Sequence, residues 1–316
     1  MDPNNNRILV IGAGVNGSVC AAGLYKAGID VTVLARGKRY EELREQGIII
    51  ENPFKNTHSV TQVPVINSLE PDDIYEYILV IVRKNQVADL LPVLARNRSP
   101  NVVFMLNNPS GPDEFVQALG KERVMLGFVF AGGRRFGNIV RAIGEAGNPI
   151  GTNPLGELDG SVTPRLTRLV GIFCKAGFKA KTSTQMTDYL ATHASMVAPF
   201  AHQLIKHGCD NHSLAHSGAD LSLLIDAMRE VPDVLEANGY KIVPAGNANS
   251  IKFIPKFILI PLLRLLLATR TAEVGGAWHC QQAPDEMHQL GVELMALVDK
   301  SGLPVPTLRK LFASNS

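Results

Sequence analysis

Ile8-Leu9-Val10-Ile11-Gly12-Ala13-Gly14-Val15-Asn16-Gly17 decides how the first half of this chain folds. Four apolar residues fit a buried strand, and Val19 to Ala27, just beyond the glycines, fits a helix. Val31-Thr32-Val33-Leu34 fits a second strand. The Gly-x-Gly-x-x-Gly spacing carries meaning in this strand–turn–helix–strand setting. Gly12 allows the tight turn, Gly14 lets the backbone approach a pyrophosphate, and Gly17 lets the helix pack closely on the strand. Val15 and Asn16 complete the turn, and the N-terminus of the helix beyond it offers N–H groups and positive dipole to phosphates. Gly12, Gly14, Val15, Asn16 and Gly17 therefore read as a dinucleotide-binding turn. The plainer alternative is a glycine-rich turn without a ligand.

The residues after the second strand bear on which dinucleotide. A site for NAD usually places Asp or Glu there, to accept from the ribose 2′-hydroxyl. Here the chain continues Ala35-Arg36-Gly37-Lys38-Arg39, with no carboxylate until Glu41. Arg36, Lys38 and Arg39 suit a 2′-phosphate, which favours NADP(H). The competing reading is a solvated basic loop.

Of the 316 residues 46% are hydrophobic and 19% charged, an ordinary globular balance with length for two domains. The formal net charge of +2 gives no argument for nucleic acid or a membrane surface as partner. Cys20, Cys174, Cys209 and Cys280 are scattered, as expected of reduced thiols in the cytoplasm. Met1 to Arg7 is polar and lacks the apolar core of a signal peptide, which also suits a cytoplasmic location. The apolar run Phe257 to Ala268 is interrupted by Pro261 and Arg264 and falls short of the ~20 residues of a membrane span. It reads as a buried helix, with an interfacial anchor as the alternative, and is apolar enough to support homodimerisation. His202, His207, Cys209, Asp210, His212 and His216 crowd one segment, but no standard zinc spacing emerges and no metal is expected.

Strand and helix patterns alternate through the first half. Strands are expected at Arg7–Ile11, Val31–Leu34, Gly47–Glu51, Ile78–Val82, Val102–Leu106 and Val124–Phe130. Helices are expected at Ser18–Ala27, Gln86–Arg96, Asp113–Leu119 and Thr163–Ala176. Arg135-Phe136-Gly137-Asn138 reads as a turn into Ile139–Ile143, adding an antiparallel strand to the sheet. After Phe178–Thr182 the strands stop. Met186–Ile205, Leu221–Ala237, Phe257–Thr269 and Asp285–Lys300 all read as helices. The expected fold is α/β: a Rossmann-type, doubly wound N-terminal domain over residues 1–183 and an all-helical substrate and dimerisation domain over 184–316, with the reaction in the cleft between them.

Several short motifs then fall in order: the glycine turn, Leu34-Ala35-Arg36-Gly37, Ile81-Val82-Arg83-Lys84-Asn85-Gln86, Met105-Leu106-Asn107-Asn108, Gly132-Gly133-Arg134-Arg135-Phe136-Gly137, Asp285-Glu286, and Ser301-Gly302-Leu303-Pro304-Val305-Pro306-Thr307. This order resembles the ketopantoate reductase (2-dehydropantoate 2-reductase) family across nearly the whole chain. The resemblance implies NADPH-dependent reduction of a small 2-oxo acid to a 2-hydroxy acid. It implies that Gly12, Gly14 and Gly17 hold the pyrophosphate and Arg36 the 2′-phosphate. Asn107 then lies near nicotinamide and substrate, Arg83 stands where the family usually has a lysine near the cofactor, and Glu286 supports the catalytic site.

The chain departs from the family where the chemistry sits. The catalytic lysine expected on the first long helix of the second domain falls on Tyr189 or Leu190, within Thr187-Asp188-Tyr189-Leu190-Ala191-Thr192-His193. Asn108 replaces the glycine after Asn107. Tyr189 and His193 share one helix face, four residues apart. Either can replace the lysine as proton donor, with Glu286 orienting it; the alternative is that both merely pack. Two other functions compete with a reductase of ketopantoate or a related acid: an opine-type dehydrogenase, and a non-catalytic NADPH-binding sensor.

Overall fold

The computed structural model describes residues 7–313. The polar stretch Met1 to Asn6, whose reading bore on targeting, lies outside the described residues. The chain forms two compact units. One takes the chain up to Leu106 together with Pro112–Met186; the other takes Asn107–Gly111 and the chain from Thr187 onward.

The first unit runs β1 (Ile8–Ile11), α1 (Val15–Lys26), β2 (Val31–Leu34), α2 (Gly37–Gln46), β3 (Ile48–Asn52), β4 (Thr57–Thr61), β5 (Val65–Ile66), β6 (Tyr77–Val80), α3 (Val87–Arg96) and β7 (Val102–Phe104). It continues with α4 (Asp113–Leu119), β8 (Val124–Gly127), β9 (Gly132–Phe136), β10 (Ile139–Ile143), β11 (Asn153–Glu157), α5 (Pro164–Lys175) and β12 (Ala180–Thr182). Eight strands make the main sheet, in the order β12-β11-β8-β7-β6-β1-β2-β5. From β8 to β5 neighbouring strands are parallel, with Ile8 opposite both Val31 and Tyr77. Every residue of β1, β2, β6 and β8 is buried, as in a parallel sheet covered on both faces. The chain passes from β1 to β2 on one side and reaches β6 on the other, so the ends of β1 and β6 flank the switch point where such sheets bind ligands. This is the α/β fold with a doubly wound sheet expected from the sequence.

Strand partners differ from expectation at one place. The Arg135–Asn138 turn does form an antiparallel hairpin, with Ile139 opposite Phe136. That hairpin does not extend the main sheet. β10 lies parallel to β3, and the separate sheet runs β4-β3-β10-β9. The reason lies in β3: its residues alternate between buried and half-buried, so it fits a sheet with one covered face. The antiparallel addition to the main sheet is β11, all of whose residues are buried, paired with β8. α2 is an element the composition of a basic loop concealed.

The second unit is helical: α6 (Met186–Lys206), α7 (Asn211–His216), α8 (Gly218–Ala237), α9 (Ala245–Phe253), α10 (Lys256–Leu267), α11 (Arg270–Ala272), a π-helical turn at Glu273–Ala277, α12 (Trp278–Gln282), α13 (Pro284–Ser301) and α14 (Pro306–Ala313). Ala191, Ala194, Ala198 and Ala201 form a stripe of small buried residues on α6, next to Leu204. Glu230 on α8 caps α14, its two oxygens accepting from Thr307 N at 3.1 Å and Leu308 N at 2.8 Å. Among the described residues no helix is long and apolar enough to cross a membrane.

α10 is not the buried helix its composition suggests. Leu259 and Leu267 are buried and Ile260 and Leu263 pack partly on the core. Phe257, Ile258, Leu262, Leu265 and Leu266 face solvent, Phe257 at 77% and Leu265 at 71% exposure. Apart from Lys256 and Arg264 the helix is apolar all round, whereas α7 and α8 pack against one side of it.

Candidate functional site

The glycine turn between β1 and α1 is held by the chain at two of its three glycines. Gly12 has φ +107°, and a Cβ there would lie 2.2 Å from the Ile81 carbonyl oxygen. A Cβ on Gly17 would lie 1.8 Å from the Gly12 carbonyl oxygen, so α1 approaches β1 only because Gly17 lacks one. Gly14 differs: a Cβ there would meet nothing within 4 Å. No side chain caps α1 at Gly14, and there is no acidic residue in its first turn. The turn therefore presents open space above the N–H groups of a helix N-terminus, the cradle a pyrophosphate needs. Val15 and Asn16 occupy the first two positions of that helix.

The three cations after β2 have different fates. Arg36 stands at the N-cap of α2 with its side chain exposed. Lys38 is exposed, 3.8 Å from Glu42. Arg39 is buried, and its guanidinium donates from Nε to the Ala13 carbonyl at 3.1 Å, from Nη2 to Ser18 Oγ at 3.3 Å, and from Nη1 to Glu42 and the Asn138 carbonyl, both at 3.2 Å. Arg39 thus fixes the glycine turn from behind and is withdrawn from ligand duty. Sequence reading grouped it with Arg36; only the helical periodicity of α2 separates the two. Beyond β6, Arg83 is half-buried and donates from its backbone N to Gln86 Oε1 at 3.3 Å. Its neighbour Lys84 is buried, paired with Glu114 and 5.2 Å above the Phe115 ring.

In the second unit one carboxylate, Glu286, joins Asn107, singled out from sequence, to a histidine that was not. Glu286, 4% exposed on α13, accepts from Asn107 Nδ2 at 3.2 Å through Oε1, while its Oε2 lies 3.2 Å from His279 Nε2. A carboxylate only accepts, so Asn107 must turn its amide nitrogen toward Glu286. That leaves Asn107 Oδ1 buried without a partner among the described residues. The segment is tied down by Asn108 Nδ2, which donates to the Gly111 carbonyl at 2.7 Å, and by Ser110 Oγ, which donates to Glu293 at 2.5 Å. Asn108 does not have positive φ, so its backbone does not require the glycine of the family pattern.

On α6, Leu190 is 1% exposed and belongs to the interior, which leaves Tyr189 as the half-exposed residue of the pair aligned with the missing lysine. The Tyr189 and His193 rings lie nearly parallel, 6.1 Å between centroids and 6° between planes. Burial pushes the Tyr189 hydroxyl above its ordinary value. Burial, with a smaller contribution from the charge of His279, pushes His193 down to about 4, so its imidazole is neutral at pH 7. His279 is the residue that sequence reading missed. Its signal was its place seven residues before Glu286, which needs the turn at Ala283 to become a contact.

The histidine-rich segment is committed to local structure. His207 lies between Ser213 Oγ at 3.0 Å and Asp220 at 2.9 Å, Asp210 caps α7, and the His216 ring contacts the His212 carbonyl at 2.7 Å. Lys206 pairs with Asp220 at 2.7 Å. Among the described residues no group of three or more His, Cys, Asp or Glu is placed to hold a metal ion.

Comparison with known proteins agrees with this architecture. Residues 8–152 match the family model described as ketopantoate reductase PanE/ApbA. No match to the sequence is found among curated proteins. Among solved structures, a D-mandelate dehydrogenase with NADH and anilino(oxo)acetate superposes with a TM-score of 0.77 at 14% identity, over 96% of each chain. The 2-dehydropantoate 2-reductase of Geobacter metallireducens GS-15 superposes with a TM-score of 0.75 at 18% identity, over 96% of this chain and 97% of that one. The enzyme of the same name from Methylococcus capsulatus gives 0.70 at 21% identity, over 97% and 94%. At these identities the likeness is one of fold.

Proposed function

We propose that this chain, which carries a ketopantoate reductase PanE/ApbA family domain over residues 8–152, is an NADP(H)-dependent reductase of a small 2-oxo acid, ketopantoate or a related compound, giving the 2-hydroxy acid. The observation that carries the cofactor half is the open position at Gly14 above the uncapped N-terminus of α1. Gly12, Gly14, Val15, Asn16 and Gly17 hold the diphosphate there. Arg36, exposed at the N-terminus of α2, pairs with a 2′-phosphate, and the helix N-terminus favours the same charge. Arg83 stands near the cofactor, as in the family pattern.

When bound, the reduced nicotinamide supplies a hydride to the carbonyl carbon. Asn107 is oriented by Glu286 so that its Oδ1 accepts from an N–H or O–H of the bound molecules. Tyr189 and His193, their rings nearly parallel on α6, lie in the same unit as Asn107 and Glu286, His193 as a neutral imidazole. Glu286 organises both Asn107 and His279.

The test is a titration of purified protein with NADPH and NADH, followed by a screen of 2-oxo acids, ketopantoate included, with and without amines. Tighter NADPH binding and amine-independent turnover are expected. Amine-dependent turnover would favour an opine-type dehydrogenase, and NADPH binding with no turnover on any 2-oxo acid would favour a sensor.

For the outward face of α10 we propose a second copy of this chain as occupant. Phe253, Phe257, Ile258, Leu262, Leu265 and Leu266 are all exposed. Together they present on the order of 600 Å² of apolar side chain, at the upper limit for a monomer and close to the ~800 Å² per partner of a stable interface. Lys252 and Lys256 beside them are already paired with Asp233 at 2.7 Å and Asp226 at 2.5 Å, which weakens the case for an anionic lipid surface. A cytoplasmic dimer is the resulting picture.

A further inference from the structure

We infer that His279 is the proton donor of the reaction and that Glu286 is the residue that positions it, in place of the lysine the family pattern would put on α6; the inference rests on the reductase reading above. Reduction of a carbonyl forms a C–H bond at carbon from the hydride, and the electron pair of the broken π bond needs a proton at oxygen. The chain must provide that proton from a group with access to water for its return.

Three observations converge on His279. First, its Nε2 lies 3.2 Å from Glu286 Oε2, and Glu286 is almost wholly buried. A buried carboxylate needs donors on its oxygens, and Asn107 serves only Oε1. The second place therefore belongs to the His279 Nε2–H. This keeps a proton on Nε2, so it is Nδ1 of the doubly protonated ring that gives up a proton and, once bare, regains it. Second, the His279 side chain is 39% exposed, so its open edge can be reprotonated from water. Third, the π-helical turn Glu273–Ala277 ends two residues before His279. Such a turn shifts the register of the side chains that follow it and is found often at functional sites. Here the histidine that meets Glu286 stands two residues beyond it.

The surrounding groups agree with this assignment. Among the described residues Glu286 on α13 and His193 on α6 are titratable neighbours of His279. His193 is held neutral by burial and does not compete as an acid at pH 7. The step balances. The proton leaves Nδ1 of the His279 imidazolium for the carbonyl oxygen, the products are the 2-hydroxy acid and oxidised nicotinamide, and the neutral Nε2–H ring that remains takes up a proton from bulk solvent.

The test compares wild type, His279→Ala, Glu286→Gln and His193→Ala. For His279→Ala we expect an NADPH dissociation constant, read by fluorescence quenching, within about threefold of wild type. We expect kcat to fall by about 10²- to 10⁴-fold, with partial recovery when imidazole is added. Nitrogen-15 NMR of histidine-labelled protein without ligand reads the pair independently of turnover. A protected Nε2–H signal assigned to His279 should vanish in Glu286→Gln. Unchanged kcat in His279→Ala overturns the inference and leaves the reductase reading standing. So does loss with imidazole rescue at His193→Ala and none at His279→Ala. Absence of the Nε2–H signal from wild type also overturns it. A wild-type protein that turns over no 2-oxo acid with either nucleotide overturns the reductase reading, and the inference with it.

Discussion

Gly14→Ala should leave the fold intact and remove the cofactor. Gly14 has φ −75° and ψ −158°, an extended conformation that alanine adopts freely. The added Cβ would meet nothing within 4 Å. Loss of glycine's freedom in the unfolded chain stabilises such a variant by about 0.4–1 kcal/mol, so its melting temperature should match or slightly exceed that of wild type. The methyl group stands where a phosphate would approach the N–H groups of α1. A phosphate pushed back by ~1 Å loses one or two charge-assisted hydrogen bonds, each about 1.5–3 kcal/mol. A net loss of about 2–4 kcal/mol raises the dissociation constant for NADPH roughly 30- to 1,000-fold. Gly17→Ala is the contrast. Its Cβ would sit 1.8 Å from the Gly12 carbonyl oxygen, a backbone atom that cannot give way without moving α1 from β1. That overpacking should cost about 3 kcal/mol or more of stability. The assay pairs urea unfolding with NADPH titration by fluorescence quenching. NADPH binding by Gly14→Ala within about threefold of wild type, or unfolding of Gly14→Ala alongside Gly17→Ala, would refute the reasoning.

Arg36→Ala should weaken NADPH binding about 10- to 100-fold and leave NADH binding nearly unchanged, since only the former has a charge for Arg36 to meet; equal losses for both nucleotides would sink the 2′-phosphate assignment. Arg165 grips Glu157, 4% exposed, through Nε at 2.8 Å and Nη2 at 2.5 Å; Arg165→Met strands that carboxylate and should lower stability in urea by about 3–5 kcal/mol, with part regained on adding Glu157→Gln. Acid should destabilise the protein in two windows. Because the folded state holds His193 near 4 against an ordinary 6.5, the unfolded chain binds the proton first, so stability is full above pH 6.5 and falls toward pH 4, by about 3 kcal/mol at most. For Asp220, burial raises the carboxyl but hydrogen bonds from Lys206, Ser217 and His207 outweigh it and hold it at about 2, so its contribution is present above 3.8 and lost as pH falls toward 2. His193→Gln should flatten urea midpoints between pH 6.5 and 4; an unchanged slope would show that the folded chain does not hold His193 neutral. Leu265→Glu with Phe257→Glu should reduce the mass measured by light scattering from dimer to monomer, and a wild-type monomer at high concentration would remove the proposed interface.

Legibility followed the range of the interactions. The turn from β1 through Gly17 to β2 was readable because its constraints are local: continuous burial of short strands, and glycines whose missing Cβ atoms answer to atoms of the same turn or the adjacent strand. α5 was readable for the same reason, since Thr163 accepts from Leu166 N and Pro164 stands at its first position. The pairing of β10 with β3 was not, because these segments are far apart in sequence and Ile48-Ile49-Ile50 hides the alternation that places β3 in the smaller sheet. The basic run after β2 could suggest an anion. Only the helical turn of α2 buries Arg39 against Ala13 and leaves Arg36 outside.

The candidate site divides along the same line. Tyr189, His193, Asn107 and Glu286 could be named from spacing and resemblance, but their grouping could not. By itself the sequence determined the α/β class, the glycine turn and its helix, and the helical second half, because each follows from periodicity or backbone freedom within a few residues. Only the tertiary structure decided that Glu286 takes His279 and Asn107 as its partners, and that one side of the mostly apolar α10 lies bare. Burial and partnership depend on which distant segments meet, and the local chain holds no record of its neighbours.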